Sequence, residues 1–349
     1  MRSDGSFAIN NFTVLRLALA LLVVLGHFKA FAGVFSPPWP FSYAAMAVES
    51  FFVISGYLVT DSFDRDPNIK RFLIKRFCRI YPLYLTVVVA QTILLSHLAP
   101  PGSSVDPGAM ARYLLANALF ANFLQHDLGQ GVLQGLVDPS LNASLWTLKI
   151  EFAFYLCVPF LWRAVRRYGP GLLIVLFFLS AFYQVALQHA GYPLLAKQLP
   201  GQLQYFLVGI AAYRFRHRVT MSRSAGVVAG IGLVFVATVL MQDRPPILYP
   251  LVGGALVIVL ALSTPRVPLR LDVSYGVYLL HAPLIQLSLL FNLYRPGWDG
   301  VGAVVTIRGG LGGLVGRRLA PDGRRNGSAA PLPAGLPPPF PALLRFLRF

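Results

Sequence analysis

The sequence predicts an all-α, polytopic integral membrane protein of about nine to ten transmembrane helices, and three observations predict it. The 349-residue chain is 56% hydrophobic and only 12% charged, with a mean hydropathy of +0.63. So few charged side chains leave most of a folded surface to be covered by lipid. Apolar runs of roughly 20 residues, enough to cross about 30 Å of hydrocarbon as helix, recur along the chain. Short basic clusters separate them, the loop pattern of a membrane protein.

In order, the predicted spans are 14–33, 43–61, 80–99, 145–162, 171–188, 201–213, 224–241, 247–263 and 274–294. The first contains Ala30-Phe31-Ala32, which has the form of a signal-peptidase site. The Arg and His inside this run, and the many spans after it, make it a retained helix. The run 201–213 is short for a span, and so is a further run at 113–124 with Asn and Gln around it. Basic clusters at 65–79, 163–167, 214–223 and 266–270 share one side only if 113–124 does not cross. The positive-inside rule then places them and the N-terminus in the cytoplasm. Residues 100–144 become an outer loop holding a surface or re-entrant helix. From about residue 296 the text turns to Gly, Pro and Arg, which separates a disordered tail, 296–349, from a membrane domain, 1–295.

The charge is lopsided, with 30 Lys+Arg against 13 Asp+Glu and a net +17. In a soluble domain this would suggest nucleic acid. Between apolar runs it serves topology and anionic headgroups, so the expected partner is membrane lipid and not nucleic acid. Cys78 and Cys157 have neither disulfide-framework nor metal-like spacing, and no metal site is expected.

Ionisable side chains within spans are costly and therefore candidates for function. Arg16 and His27 are separated by about three helical turns, which puts them on one face roughly 16 Å apart. Counted from the span ends, His27 lies about 21 Å from the cytoplasmic side, while Glu49 and Glu151 lie about 9 and 10 Å below the outer surface. The three share one level, as an acid–base site would. A lone intramembrane His is as readily a packing residue, and a lone Glu near a helix end more readily snorkels to water. Co-location weighs toward chemistry. His281 counts to about 12 Å from the cytoplasmic side, which suits a donor-side contact or a structural hydrogen bond. Lys75, Arg76 and Arg79 sit in the loop before the third span, close to Pro82. By charge alone they are a topology signal; the sharper reading is a clamp for a phosphorylated cofactor.

Together these segments resemble membrane acyltransferase family 3, the O-acetylases of O-antigen lipopolysaccharide, exopolysaccharide and related glycans. The matching text is NNFTVLRLALALLVVLGHF with its Arg-x10-His spacing, then ESFFVISGYL, KRFCRIYP, SLWTLKIEFAFYL and SYGVYLLH, in the family's order. The resemblance implies about ten helices in a bacterial inner membrane with both ends cytoplasmic. It implies acetyl-CoA or another acyl-CoA as cytosolic co-substrate, and a glycan or lipid-linked sugar as acceptor. Carried over by position, His27 is the essential catalytic residue and Arg16 its companion. Lys75, Arg76 and Arg79 become the coenzyme A phosphate site, and Glu49 and Glu151 the supporting acids. The expected chemistry has His27 as general base with Glu49 fixing its tautomer; an acyl-histidine intermediate is the alternative. The tail departs from the family's ending, where a tenth helix and a Trp/Glu/Pro segment belong, and reads like a shifted frame. Two rival readings are therefore an inactive homologue and a transporter or flippase for a glycan or lipid-linked sugar. The sequence has no internal repeat of the kind transporters tend to carry.

Overall fold

The computed structural model describes residues 11–32, 44–98 and 106–291, apart from some loop positions between 123 and 139, residues 219–221, and positions 266, 270 and 271. The tail expected at 296–349 lies outside the described residues. Among the described residues eleven α-helices follow one another: α1 (Phe12–Ala32), α2 (Ala44–Arg65), α3 (Ile69–His97), α4 (Pro107–Ala118), α5 (Trp146–Tyr168), α6 (Gly171–His189), α7 (Pro193–Ala196), α8 (Leu199–Arg214), α9 (Arg223–Asp243), α10 (Leu248–Leu262) and α11 (Ser274–Leu290). Among the described residues there is no strand.

Five helical segments, 12–32, 44–65, 69–97, 143–168 and 171–189, are long and apolar enough to cross a membrane. Shorter apolar helices lie within α9, α10 and α11. The nine expected spans fall on α1, α2, α3, α5, α6, α8, α9, α10 and α11, and the chain is an all-α polytopic membrane protein.

Two boundaries differ from the reading of the sequence. The basic cluster Lys75–Arg79 is no loop, because α3 starts at Ile69, where the Asn68 side chain accepts the Arg71 N–H. At 29 residues α3 is about 43 Å long, so its first turns project beyond the hydrocarbon and carry the cations with them. The short helix expected at 113–124 instead occupies Pro107–Ala118. Asp106 sets that start by accepting the N–H groups of Gly108 and Ala109, two bonds that hold its carboxyl below the usual carboxylate range. Twelve residues span only about 18 Å, so α4 is too short to cross. It packs against α3, where Tyr84 donates to the Asn117 carbonyl at 2.5 Å.

α2 is the central helix and packs against α1, α3, α5, α8 and α10. Its approach to α8 depends on two glycines. A Cβ on Gly56 would overlap the Phe206 carbonyl, and one on Gly209 the Val53 carbonyl. Small residues give such close crossings in membranes, where dispersion rather than water drives helix association. Ile174, Val175, Phe178 and Phe182 of α6, like Val228 and Ile231 of α9, point outward and exposed, as a lipid-facing surface requires.

The ends of α2, α5 and α8 converge. Asp64 accepts from Trp162 Nε1 at 2.8 Å, Arg166 at 3.2 Å and Tyr213 Oη at 3.0 Å. Arg163 donates to the Pro67 carbonyl in the α2–α3 turn. The basic clusters from three separate stretches of sequence thus gather at one end of the bundle.

Candidate active site

α1 and α11 pack side by side, with Val24, Phe28 and Phe31 against Ala282 and Ile285. Gly26 lets the start of α2 press onto the same stretch, since a Cβ there would lie 2.8 Å from that of Ala44. Within this seam His27 and His281 meet. Their rings lie edge to edge, with planes within 8° and centroids 4.9 Å apart, and His27 Nδ1 lies 2.6 Å from His281 Nε2. His281, only 3% exposed, also places Nδ1 2.6 Å from the Tyr278 carbonyl.

That carbonyl fixes the protons. It can only accept, so His281 Nδ1 carries the hydrogen and, in a neutral ring, Nε2 is a bare acceptor. The proton of the contact then belongs to His27 Nδ1. Among the described residues no hydrogen bond reaches His27 Nε2, which in this tautomer carries a lone pair.

His281 is the partner that counting along the sequence missed. The count started α11 at the membrane surface. Asp272, just before α11, instead pairs with Arg16, a full turn into α1, at 2.9 Å. From that shared plane His27 is about 16 Å along and His281 about 13 Å, less than one turn apart. The signal was present in SYGVYLLH, whose Tyr and His form the second hydrogen bond.

A cavity of about 80 Å³ is lined in part by Tyr278, whose ring centroid is 5.7 Å from that of His281. One end has Arg16, Arg76, Arg79 and Ser274, the middle Ser55, Glu151 and Tyr155, and the far end Val48, Phe51, Thr147, Leu148 and Tyr278. This order follows from the helix directions, since α2 and α5 run down as α3 and α11 run up. Asp272, which sequence reasoning did not single out, accepts from Arg16 and, at 3.3 Å, from Arg79, and so joins α1, α3 and α11. It also takes the Ser274 hydroxyl and N–H at the start of α11. Arg76 donates to Ser62 at 2.6 Å and lies over the Phe72 and Tyr155 rings. Glu151 accepts from Ser55 at 3.1 Å and Tyr155 at 2.5 Å.

The expected residues therefore divide among several places. Arg16, Arg76, Arg79 and Glu151 come together on the cavity; His27 stands with His281 beyond it. Lys75 is turned about 100° from Arg76 along the helix and pairs with Asp66 at 3.2 Å, away from the cavity. Glu49 does not reach His27. Its carboxylate accepts from Tyr249 at 2.7 Å and pairs with Arg244 at 3.7 Å, tying α2 to α10 and to the end of α9. The role expected for Glu49, orienting the His27 ring, is filled by His281, because equal depth on two helices does not fix which faces meet.

The basic end of the cavity has an excess of cations. Arg16, Arg76 and Arg79 line it with one carboxylate, Glu151, while Asp272 pairs with Arg16 and Arg79, and the Nε atoms of Arg16 and Arg76 are buried without a hydrogen-bond partner among the described residues. Unpaired buried guanidinium nitrogens are poised for anionic oxygens.

Residues 9–310 match a family model described as an acyltransferase domain. Nodulation protein 10 of Rhizobium leguminosarum bv. viciae is 29% identical over 326 residues, covering 83% of this chain and 85% of that protein. The O-acetyl transferase of Shigella phage Sf6 is 25% identical over 295 residues, 80% of this chain and 86% of its own. Peptidoglycan O-acetyltransferase OatA of Listeria monocytogenes is 30% identical over 121 residues, a third of this chain (33%) and 19% of that protein. No solved structure gives a significant match. A family match that runs from before α1 to beyond α11, around a buried histidine pair and a cation-lined cavity, leaves one conclusion: the chain belongs to the membrane acyltransferase family 3 and is an O-acyltransferase.

Proposed function

We propose that this enzyme moves an acetyl group from cytosolic acetyl-CoA to a hydroxyl of a glycan or lipid-linked sugar, with His27 as general base. One observation carries the reading. The chain Tyr278 carbonyl, His281, His27 ends in an unprotonated Nε2 on His27. A sugar hydroxyl is too weak an acid to attack a thioester without such a base.

Arg16, Arg76 and Arg79 bind the donor's phosphates at the basic end of the cavity. Bound there, the donor supplies an activated thioester carbonyl. His27 Nε2 takes the acceptor's hydroxyl proton as its oxygen bonds the acyl carbon and the carbon–sulfur bond breaks. The imidazolium then returns this proton to the departing thiolate, so the histidine pair ends as it began. Glu151 stands between the two centres and holds Ser55 and Tyr155 along the path.

The basic end of the bundle faces the cytoplasm of a bacterial inner membrane, because clusters of Arg and Lys are retained on that side. The acceptor approaches from the opposite face. The names of the phage O-acetyl transferase and the peptidoglycan O-acetyltransferase support a glycan acceptor. Membranes holding the full chain, given acetyl-labelled acetyl-CoA and isolated cell-surface glycan, test the reading. Label should enter the glycan as an alkali-labile ester; glycan that stays unlabelled while the protein is folded refutes it.

A further inference from the structure

We infer that the mainly apolar end of the cavity is the acyl pocket, and that Phe51 and Tyr278 restrict it to a two-carbon acyl group. The inference rests on the acyl-CoA donor reading and adds to it the residues that choose the acyl chain.

The cavity is polar at one end and mainly apolar at the other. Beyond Glu151 its walls are Val48, Phe51, Leu148 and Tyr278, with the Thr147 hydroxyl turned to that of Tyr278. Val48, Leu148 and Tyr278 are each less than one-tenth exposed, at 8%, 2% and 7%. A ligand anchored by its phosphates at Arg16, Arg76 and Arg79 directs its far end here, and that end must be short and apolar.

Two contacts make the end wall rigid. The Phe51 ring meets Tyr278 edge-on, with centroids 5.7 Å apart at 71°. The Tyr278 hydroxyl lies 2.6 Å from Thr147 Oγ1, which itself donates to the Ser144 carbonyl at 3.0 Å. The wall thus joins α2, α5 and α11 and cannot yield without breaking a buried hydrogen bond. Tyr278 is also the residue whose carbonyl holds His281, so the wall stands next to the histidine pair. An acyl group that stops there lies against Tyr278, whose ring centroid is 5.7 Å from that of His281; a longer one would push against Tyr278 and disturb the bond that sets the His281 tautomer.

Each surplus methylene in a closed apolar pocket costs roughly 10- to 200-fold in kcat/KM.

The test is competition between acetyl-CoA and butyryl-CoA on the full chain in membranes, with Kd for desulfo-CoA as the control for the cation end. Wild type should prefer acetyl by at least about tenfold. Phe51→Ala should reduce that preference to about twofold or less by admitting butyryl, with desulfo-CoA binding unchanged. Val48→Phe, which fills the pocket, should lose acetyl transfer while still binding desulfo-CoA. Should Phe51→Ala fail to fold, Phe51→Leu must show the same shift in smaller degree. Wild type that uses both donors equally, or folded Phe51 variants that keep the wild-type preference, overturn the inference while leaving the donor reading intact. Wild type that binds desulfo-CoA but transfers neither acyl group overturns both.

Discussion

His27 Nδ1 and His281 Nε2 lie 2.6 Å apart, and the Tyr278 carbonyl on the far side of His281 gives that contact a direction. The carbonyl holds one proton, His27 holds the next, and the lone pair is left on His27 Nε2. His27→Ala should therefore insert and fold normally but lose about 10²–10⁴-fold in kcat. His281→Leu removes the acceptor and frees the His27 ring, and should lose a substantial part of that factor. His281→Gln supplies a carbonyl oxygen in place of Nε2 and should recover part of the loss. Steady-state kcat on the same membranes checks all three. Equal activity of His281→Leu and wild type would mean the pair is only packing.

The helices were legible in the sequence because hydropathy and length act locally, and nine predicted spans coincide with nine helices. Arg16, His27 and Glu151 stood out because an ionisable side chain inside an apolar run is conspicuous, and Arg76 and Arg79 because they form a basic cluster before the third span. His281 was visible but misplaced, since depth counting assumes that every helix starts at the same plane. The Arg16–Asp272 pair shows that α11 starts deeper. Asp272 was hidden in a basic loop, where a single acid has no pattern to mark it. Glu49 and Lys75 expose the other limit: a shared level or a shared cluster says nothing about rotation around a helix axis.

That rotation separates two neighbours experimentally. Arg76 faces the cavity, while Lys75 faces Asp66 and solvent, with its side chain 59% exposed. Arg76→Ala and Arg79→Ala should each raise the donor KM roughly 10- to 100-fold, since a charge-assisted phosphate contact is worth about 1.5–3 kcal/mol. Lys75→Ala should leave it unchanged. A matching rise for Lys75→Ala would indicate a general electrostatic attraction rather than a built site.

The α2–α8 crossing gives a stability prediction independent of catalysis. Gly56 and Gly209 each meet a backbone carbonyl of the opposite helix, which cannot swing aside as a side chain can. Gly56→Leu should force the two helices apart and cost at least the roughly 1–3 kcal/mol of an overpacked core. Gly276→Ala, where a Cβ would meet nothing within 4 Å, is the matched control. Thermal unfolding in detergent should show a lower midpoint for the first and little change for the second.

Glu49 tests whether a buried acid in a conspicuous position is catalytic or structural. Its side chain is 13% exposed, and its oxygens are engaged by Tyr249 and Arg244. Arg244 takes a left-handed backbone conformation, φ 45°, uncommon for a residue with a Cβ, and lies over the Tyr249 ring at 5.5 Å. The cluster closes the α9–α10 turn onto α2, and no bond leads from it to His27. Glu49→Gln keeps the shape and can still accept from Tyr249, but loses the charge that faces Arg244. It should lower the unfolding midpoint by a few degrees while kcat/KM stays within about threefold, because losing one such buried contact typically costs about 1–3 kcal/mol. Glu49→Ala should be worse for stability, since it leaves both the Tyr249 hydroxyl and the guanidinium unpaired. Arg244→Gln should resemble Glu49→Gln in stability, and the double variant should cost less than the two single changes added together. If Glu49→Gln instead loses about 10²-fold in kcat with an unchanged midpoint, the carboxylate acts in the chemistry, and the site must rearrange in the working enzyme to bring α2 toward His27.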